Sequence, residues 1–196
     1  MRTRIKICGL TSPKEAAYLP PSQVDFAGMV LFCEKSRRNI TIEEAAEIMK
    51  ALPREIKRAA VTVSPTLAQA ERIEEAGFDV RHVQGSLDKE ILSKVHIPII
   101  RAVNVKDRVP LFEEHPRISA YLFDAAAPGS GKSFDWACLE KIPARGRKFI
   151  LAGGLTPSNV GDAIRKVHPW MVDVSSGVEY RRPLPSDSNI ADARTH

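Results

Sequence analysis

Residues 150–159 read Ile-Leu-Ala-Gly-Gly-Leu-Thr-Pro-Ser-Asn and residues 171–177 read Met-Val-Asp-Val-Ser-Ser-Gly, and in both an apolar run ends in small residues. At Gly153, Gly154 and Gly177 the backbone N–H groups are open to close approach by an anion, and the start of a helix supplies further unpaired donors. A phosphate-binding barrel places such junctions after its seventh and eighth strands. A single Gly-Gly pair is more often a plain tight turn. Two junctions at the end of a repeated strand and helix pattern favour a phosphate site.

Eight short aliphatic segments predict the strands of a parallel sheet that is buried on both faces. The segments are Ile5–Cys8, Phe26–Leu31, Ala59–Val63, Val80–Val83, Ile99–Val103, Ala120–Asp124, Lys148–Ala152 and Met171–Val174. Helix-like segments, rather than hairpin turns, separate them. Eight alternations of strand and helix favour an α/β fold closed into a (β/α)8 TIM barrel, with an open doubly wound sheet as the alternative. In a barrel the catalytic groups should lie at the C-terminal ends of the strands.

Four predicted helix starts share a hydroxyl side chain before the helix. Residues 12–15 (Ser-Pro-Lys-Glu) and 41–44 (Thr-Ile-Glu-Glu) predict capping boxes, in which the hydroxyl and the glutamate carboxylate accept hydrogen bonds from free backbone N–H groups. Ser64-Pro65 and Thr156-Pro157 are interpreted in the same way, with the hydroxyl residue as the cap and proline in the first turn. Each pattern alone predicts where a helix begins and carries no functional weight.

The composition is that of one globular domain. The chain has 196 residues, of which 43% are hydrophobic and 27% charged, and single domains of roughly 100–250 residues are common. No apolar run approaches the roughly 18 residues that span a bilayer, and the N-terminus lacks the apolar segment of a secretory signal. We therefore expect one domain over residues 1–196, in the cytoplasm and without a membrane partner.

The charge and the cysteines argue against several classes of function. The net charge of +5 is spread along the chain without a basic block interleaved with aromatic residues, so a nucleic-acid partner is not expected. The same charge permits an anionic small-molecule ligand. Cys8, Cys33 and Cys138 lie too far apart for a disulfide framework or a zinc site, which leaves a cysteine available for chemistry. A monomer and a homodimer are both compatible with these features.

The C-terminal segment offers little material for an eighth helix. Residues 181–185 read Arg-Arg-Pro-Leu-Pro, and the polar residues 186–196 follow. Because proline interrupts a helix and few apolar residues remain to pack one, we expect the eighth helix to be truncated or missing. Residues 186–196 would form a polar tail, either packed or disordered. The barrel would then be incompletely covered between its first and last strands.

Two strand ends carry groups that can exchange protons. Cys8 ends the first strand and Asp124 ends the sixth, so in a barrel both side chains would point into the same mouth. A thiolate can act as a general base, and a carboxyl group shielded from water can hold a proton to donate. Taken alone, a strand cysteine is more often a small buried hydrophobic residue, and a strand-terminal aspartate often caps the next helix.

Two loops next to these strands add further candidates. Residues 129–133 read Gly-Ser-Gly-Lys-Ser but lack the spacing of a nucleotide-binding P-loop, so ATP binding is rejected in favour of a mobile loop that closes over the mouth. After the second strand, Arg37 and Arg38 are candidates for binding a carboxylate, because a guanidinium group can donate two parallel hydrogen bonds to it. An ordinary basic surface loop is the alternative.

Five ordered motifs together resemble the phosphoribosylanthranilate isomerase family of tryptophan biosynthesis. They are Lys6-Ile7-Cys8-Gly9-Leu10-Thr11, Lys35-Ser36-Arg37-Arg38, Phe123-Asp124 followed by Pro128-Gly129-Ser130-Gly131-Lys132-Ser133-Phe134-Asp135-Trp136, Leu151-Ala152-Gly153-Gly154-Leu155, and Val172-Asp173-Val174-Ser175-Ser176-Gly177-Val178-Glu179. The resemblance implies a (β/α)8 barrel that needs no metal or organic cofactor and acts on a small phosphorylated substrate. It implies an Amadori rearrangement, in which N-(5-phosphoribosyl)anthranilate becomes 1-(2-carboxyphenylamino)-1-deoxyribulose 5-phosphate.

The resemblance also implies a role for each candidate residue. Asp124 would be the general acid that protonates the furanose ring oxygen, and Cys8 would be the general base that removes the C2′ proton. Arg38 would bind the anthranilate carboxylate, and Asp173 would lie near the sugar. The loops that hold the phosphate would contain Gly153, Gly154, Ser176 and Gly177.

The sequence departs from the family pattern at the end of the fourth strand and at the C-terminus. Where the family usually reads Gln-Leu-His-Gly, residues 82–85 read His-Val-Gln-Gly. His82 and Gln84 are two positions apart and should still face the same side of the sheet. The departures leave a phosphosugar-binding barrel with lost or altered turnover as an alternative. A histidine-pathway phosphosugar isomerase ranks last, because its substrate carries two phosphates and the sequence has one glycine-rich phosphate region.

Overall fold

The computed structural model describes residues 2–106, 109, 115–125, 135–139 and 148–179. Eight parallel strands form a barrel, and each overlaps the segment predicted for it. They are β1 (Arg4–Cys8), β2 (Phe26–Leu31), β3 (Lys57–Val63), β4 (Val80–Gln84), β5 (Ile99–Val105), β6 (Ile118–Ala125), β7 (Lys148–Leu151) and β8 (Met171–Val174).

The sheet closes on itself. Each strand pairs in parallel with the next one along the chain, and β1 pairs with both β2 and β8. Lys6 of β1 and Asp173 of β8 are register partners at this closure. The prediction of a (β/α)8 barrel is therefore confirmed, and the open doubly wound alternative is wrong. A two-residue strand, Asn39–Ile40, lies beside the end of β2.

Helices follow the strands on the outside of the barrel. Ser12 and Thr41 form the capping boxes predicted for the first two helices. Short 3-10 turns follow β6 and β8. The helices are α1 (Pro13–Ala17), α2 (Ile42–Ala51), α3 (Leu67–Glu75), α4 (Lys89–Lys94) and α5 (Val160–Val167), and the 3-10 turns are Trp136–Leu139 and Ser176–Val178.

The predicted start of α3 at Ser64 is wrong. Thr66 caps this helix instead, in a capping box with Gln69. Ser64 adopts a positive φ of 47°, and its hydroxyl accepts a hydrogen bond of 2.9 Å from the Ser86 N–H. Because Ser64 is engaged with the loop after β4, the helix begins two residues further on.

The predicted start of α5 at Thr156-Pro157 is also too early. This pair lies in a turn, and the helix begins at Val160. The Thr156 N–H donates to the side-chain oxygen of Asn159 at 2.8 Å. The Asn159 side-chain amide in turn donates to the Gly154 carbonyl oxygen at 2.9 Å, so the turn is tied to the glycine junction that precedes it.

The interior of the barrel changes from apolar to polar along the strands. Successive interior positions lie two residues apart, because side chains on a strand alternate between the two faces. The upper interior positions hold His82 and Gln84 on β4, Asp124 on β6 and Asp173 on β8, and all four line the cavity above. The barrel therefore has a polar layer at the C-terminal ends of its strands. The apolar floor beneath it includes Phe26, Ala59, Val80, Ile100, Leu122, Ile150 and Met171.

A groove of about 950 Å³ lies over the seam between β1 and β8, and its lining includes Ile5, Ile7 and Val160.

The expectations about an eighth helix and a polar tail fall on residues 180–196, and those about the glycine loop fall on residues 126–134. Both segments lie outside the described residues. In the ranges that the structure describes, no helix is long and apolar enough to cross a bilayer.

Candidate active site

A cavity of about 320 Å³ opens at the C-terminal ends of the strands. Gly177 stands behind its lining, where an added Cβ atom would lie 1.9 Å from the Leu155 carbonyl oxygen. The thiol and the carboxyl group selected from the sequence thus face one shared cavity. Seven of the eight candidate residues line it, namely Cys8, Arg38, Asp124, Gly153, Gly154, Asp173 and Ser176.

Lys6 is a buried cation at the cavity that the sequence patterns did not single out. Its ammonium group is fully buried and donates to both carboxylate oxygens of Asp173, at 2.8 and 2.9 Å. Because the two residues are register partners on β1 and β8, closure of the barrel creates the ion pair. The position of Lys6 in the sequence could have indicated this buried ion pair. Lys6 lies two positions before Cys8 and so faces the same side, and a buried lysine needs an acidic partner.

The Cys8 thiol lies next to this ion pair. A Cβ atom added to Gly28 on β2 would lie 2.9 Å from Cys8 Sγ and 3.1 Å from Lys6 Nζ, so the missing side chain makes room for both groups. Burial raises the pKa of the Cys8 thiol, and the Lys6 ammonium counteracts part of that rise. Burial alone would lower the pKa of Lys6, but the negative charges of Asp173 and Cys8 outweigh burial and raise it. Lys6 is therefore a fixed positive charge that stabilises the Cys8 thiolate.

Asp124 lies almost fully buried at the end of β6. Its Oδ1 accepts a hydrogen bond of 2.8 Å from the Ala125 N–H. A Cβ atom added to Gly153 would lie 2.9 Å from the same oxygen, so this glycine lets the carboxyl group approach the loop after β7. Burial and the negative charge of Asp173 raise the pKa of Asp124 to about 6. The carboxyl group can therefore hold a proton close to neutral pH, as a general acid must.

Arg38 reaches the cavity, whereas the Arg37 side chain is 64% exposed. Both arginines pair with Glu179. Arg38 Nε donates to Oε1 at 2.7 Å, and Arg37 Nη2 donates to Oε2 at 2.5 Å. Burial of Glu179 opposes its negative charge, but the hydrogen bonds from the two arginines outweigh burial and lower the pKa of Glu179. The Arg38 guanidinium group, which the sequence analysis assigned to a substrate carboxylate, is therefore paired with the carboxylate of Glu179.

The two glycine-rich junctions meet at the cavity wall. Gly153 and Gly154 have φ angles of +88° and +63°, a region in which glycine is unstrained and other residues rarely lie. After β8 the chain turns at once into Ser176–Val178, and its Gly177 packs against the Leu155 backbone of the first junction. Small residues on neighbouring strand ends form concavities that suit anions. The cavity thus combines a partly buried thiol, a carboxyl group with a raised pKa and a wall suited to a phosphate.

Comparison with known families and proteins agrees with this site. The family model described as N-(5'phosphoribosyl)anthranilate (PRA) isomerase matches residues 5–181. The N-(5'-phosphoribosyl)anthranilate isomerase of Streptococcus mutans is 36% identical over 178 residues, which cover 90% of each chain. The protein of the same name from Pelobacter propionicus is 38% identical over 182 residues, covering 90% of this chain and 86% of the relative.

Solved structures with the same fold lead to the same family. Phosphoribosyl anthranilate isomerase from Thermus thermophilus superposes with a TM-score of 0.81 at 29% identity, over 98% of this chain and all of the other. A phosphoribosyl anthranilate isomerase in complex with reduced 1-(o-carboxyphenylamino)-1-deoxyribulose 5-phosphate superposes with a TM-score of 0.74 at 31% identity, over 92% of this chain and 90% of the other. With a family model that matches nearly its whole length and relatives of this similarity, the chain belongs to the N-(5'-phosphoribosyl)anthranilate isomerase family.

Proposed function

We propose that this chain is an isomerase of tryptophan biosynthesis that uses Cys8 and Asp124 as its general base and general acid. It converts N-(5'-phosphoribosyl)anthranilate into 1-(2-carboxyphenylamino)-1-deoxyribulose 5-phosphate. The family match and the names of the relatives support the reaction. The observation that supports these two residues is that both line one cavity together with the glycine-rich junctions.

The proposed chemistry moves one proton onto the substrate and removes another. Asp124 delivers its proton to the furanose ring oxygen, the bond between C1′ and that oxygen breaks, and the nitrogen lone pair forms a protonated Schiff base. Cys8 then takes the proton from C2′. The electrons of the broken C–H bond form an enolamine and neutralise the nitrogen. The enolamine tautomerises to the keto product, while the Lys6 ammonium stabilises the thiolate that acts as base.

The pKa values of the two groups determine how the enzyme stores its proton. Asp124 loses its proton near pH 6, whereas burial holds the Cys8 thiol above its usual pKa of about 8.5. Between these values the pair carries one proton, which resides mainly on Cys8, although the productive form carries it on Asp124. The two forms hold the same number of protons, so their ratio is independent of pH, and the productive form is the minor one in the free enzyme.

A pH profile follows from this arrangement. We expect kcat/KM to be constant between about pH 6 and the pKa of the Cys8 thiol. Below that range both groups are protonated and the base is lost, and above it both are deprotonated and the acid is lost. Initial rates over pH 5–10 measure the profile, and a profile without an acid limb near pH 6 would contradict the assignment of Asp124.

The substrate carries a negative charge at each end, and the cavity offers a site for each. The junctions at Gly153-Gly154 and Ser176-Gly177 would hold the phosphate through backbone N–H groups. Arg38 would bind the anthranilate carboxylate and release the Glu179 carboxylate with which it pairs in the free protein. The exchange replaces one carboxylate with another, so Arg38 stays paired in both states.

Turnover of freshly generated N-(5'-phosphoribosyl)anthranilate tests the reaction directly. We expect the folded protein to form product without added metal or organic cofactor. Binding of reduced 1-(o-carboxyphenylamino)-1-deoxyribulose 5-phosphate, measured by calorimetry on the same sample, serves as the control for an intact site. A folded protein that binds this compound but forms no product would refute the isomerase and support a phosphosugar-binding barrel.

For the cellular setting we propose the cytoplasm and either a monomer or a homodimer. A catalytic thiol has to stay reduced, and the cytosol keeps cysteines reduced. Cys8, Cys33 and Cys138 are all free thiols in the structure. One solved relative, phosphoribosylanthranilate isomerase from Thermotoga maritima, is described as dimeric. Sedimentation equilibrium distinguishes the two assembly states, and cell fractionation tests the location.

A further inference from the structure

His82 is a buried polar side chain that lines the cavity without a hydrogen-bond partner among the described residues. It is 2% exposed, and neither Nδ1 nor Nε2 makes a hydrogen bond. Its position on β4 lies one interior layer above Val80 of the apolar floor. An unsatisfied buried polar group lowers the stability of a folded protein, and such groups are rare in native structures. An imidazole at this position therefore indicates a ligand that satisfies it.

The surroundings of His82 determine which kind of ligand fits. Burial lowers the pKa of His82 well below its usual value, and the positive charges of Lys6 and Arg101 lower it further. The ring is therefore neutral at the pH of the proposed reaction, with one N–H donor and one nitrogen acceptor. An ionised phosphate or carboxylate has only acceptors, so it could pair with the ring's N–H but would leave the acceptor nitrogen unsatisfied. A hydroxyl group offers both a donor and an acceptor, and it matches the ring.

We propose that His82 hydrogen-bonds a hydroxyl group of the substrate's sugar and so positions the sugar between Cys8 and Asp124. The three side chains line the same cavity, so one ligand can contact all of them. Identification of the hydroxyl group as that of a sugar rests on the proposed function. Misplacing a reacting atom by about 1 Å can reduce a rate about 100-fold, so one hydrogen bond that orients the sugar has a large effect on the reaction. Proton transfer itself stays with Cys8 and Asp124.

Nitrogen-15 NMR of the wild-type protein labelled at histidine tests the contact directly. Reduced 1-(o-carboxyphenylamino)-1-deoxyribulose 5-phosphate is the probe, because it carries a phosphorylated chain with hydroxyl groups. We expect the ring-nitrogen resonances of His82 to shift when the probe saturates the site. Those of His96, whose side chain is 81% exposed, should stay unchanged. Unchanged His82 resonances at saturation would overturn the proposal.

Two variants separate binding from stability. His82→Leu removes both nitrogens at similar volume and loses no hydrogen bond to the part of the chain that the structure describes, so its Tm should rise by about 2–4 °C. Its affinity for the probe and its kcat/KM should each fall about 10- to 100-fold. His82→Gln keeps a donor and an acceptor and should retain much more of both, and His96→Leu is the surface control.

The outcomes distinguish this inference from the proposed function. If His82→Leu binds the probe and turns over substrate as the wild type does, the role of His82 is refuted and the isomerase stands. If the wild type neither binds the probe nor forms product, the proposed function has failed. A fall in kcat/KM together with a raised Tm supports the proposal, because a purely structural role would move both in the same direction.

Discussion

Replacing Asp124 with asparagine should make the protein more stable and nearly inactive. Asparagine has the same shape, and its side-chain oxygen can still accept the hydrogen bond that the Ala125 N–H donates at 2.8 Å. It cannot deliver a proton to a leaving oxygen. General acid catalysis contributes roughly 10²–10⁴-fold, so turnover of Asp124→Asn should fall by at least about 100-fold.

The gain in stability follows from the raised pKa of Asp124. This pKa is about 6 in the folded protein, against an ordinary value of 3.8. The folded protein therefore holds the proton more tightly than the unfolded chain does, and the wild type loses stability as the pH rises from about 4 to about 6. Asparagine has no proton to lose. The free energy of unfolding of Asp124→Asn should exceed that of the wild type by about 3 kcal/mol above pH 7 and by under about 1 kcal/mol at pH 4.

Urea unfolding of both proteins between pH 4 and pH 8 measures this difference. Asp79→Asn is a control with the opposite sign. Burial would raise the pKa of Asp79, but hydrogen bonds from Arg58 outweigh burial and lower it. Asp79→Asn should therefore destabilise the protein at neutral pH and have a smaller effect in acid. Parallel stability curves for the wild type and Asp124→Asn would refute the raised pKa. Near-normal turnover of Asp124→Asn would refute its role as the acid.

Three further predictions concern the thiol and the carboxylate site. Cys8→Ser should lower kcat by at least about 100-fold in the substrate assay with little change in Tm, because a hydroxyl group is a far weaker base than a thiolate. Arg38→Ala should raise KM about 10- to 100-fold while kcat changes less, and an unchanged KM would remove Arg38 from the substrate site. Gly28→Ala should lower kcat about 10- to 100-fold, because its Cβ atom would lie 2.9 Å from Cys8 Sγ. Its control is Gly161→Ala on α5, where the Cβ atom meets nothing closer than an arginine nitrogen at 3.4 Å; that variant should keep full activity and gain about 0.5–1 kcal/mol of stability.

The strands could be predicted because a parallel strand that is buried on both faces is a continuous aliphatic run between amphipathic helices. Two of them, Phe26–Leu31 and Met171–Val174, begin and end at the predicted residues. The starts of α3 and α5 could not be predicted as well. A hydroxyl residue before a proline fits a helix cap and also fits a turn. Whether Ser64 caps the helix or lies in a turn depends on its hydrogen bonds with the end of β4 and the loop after it, about 20 residues away in sequence. A local sequence pattern contains no information about these bonds.

In the candidate site, too, local features of the sequence could be predicted and contacts between distant residues could not. Residue type and strand position made Cys8 and Asp124 candidates, and the family resemblance implied their roles as base and acid. The partners that set their chemistry come from distant parts of the chain, and sequence spacing alone does not pair them. Lys6 was missed because its counterion lies on the last strand, and Glu179 was missed because its pairing with Arg38 bridges 141 residues. The pKa of Asp124 depends on burial and on the charge of Asp173, which only the assembled barrel determines.

The ion pair of Lys6 and Asp173 connects residues 167 positions apart, at the seam where the first strand meets the last. During synthesis the first strand leaves the ribosome long before its neighbour on the other side exists. A nascent or partly opened chain therefore has a lysine without a counterion and a thiol outside its finished surroundings. If Cys8 is the base, we therefore expect activity to appear only when the ring closes, and incomplete molecules to be inactive.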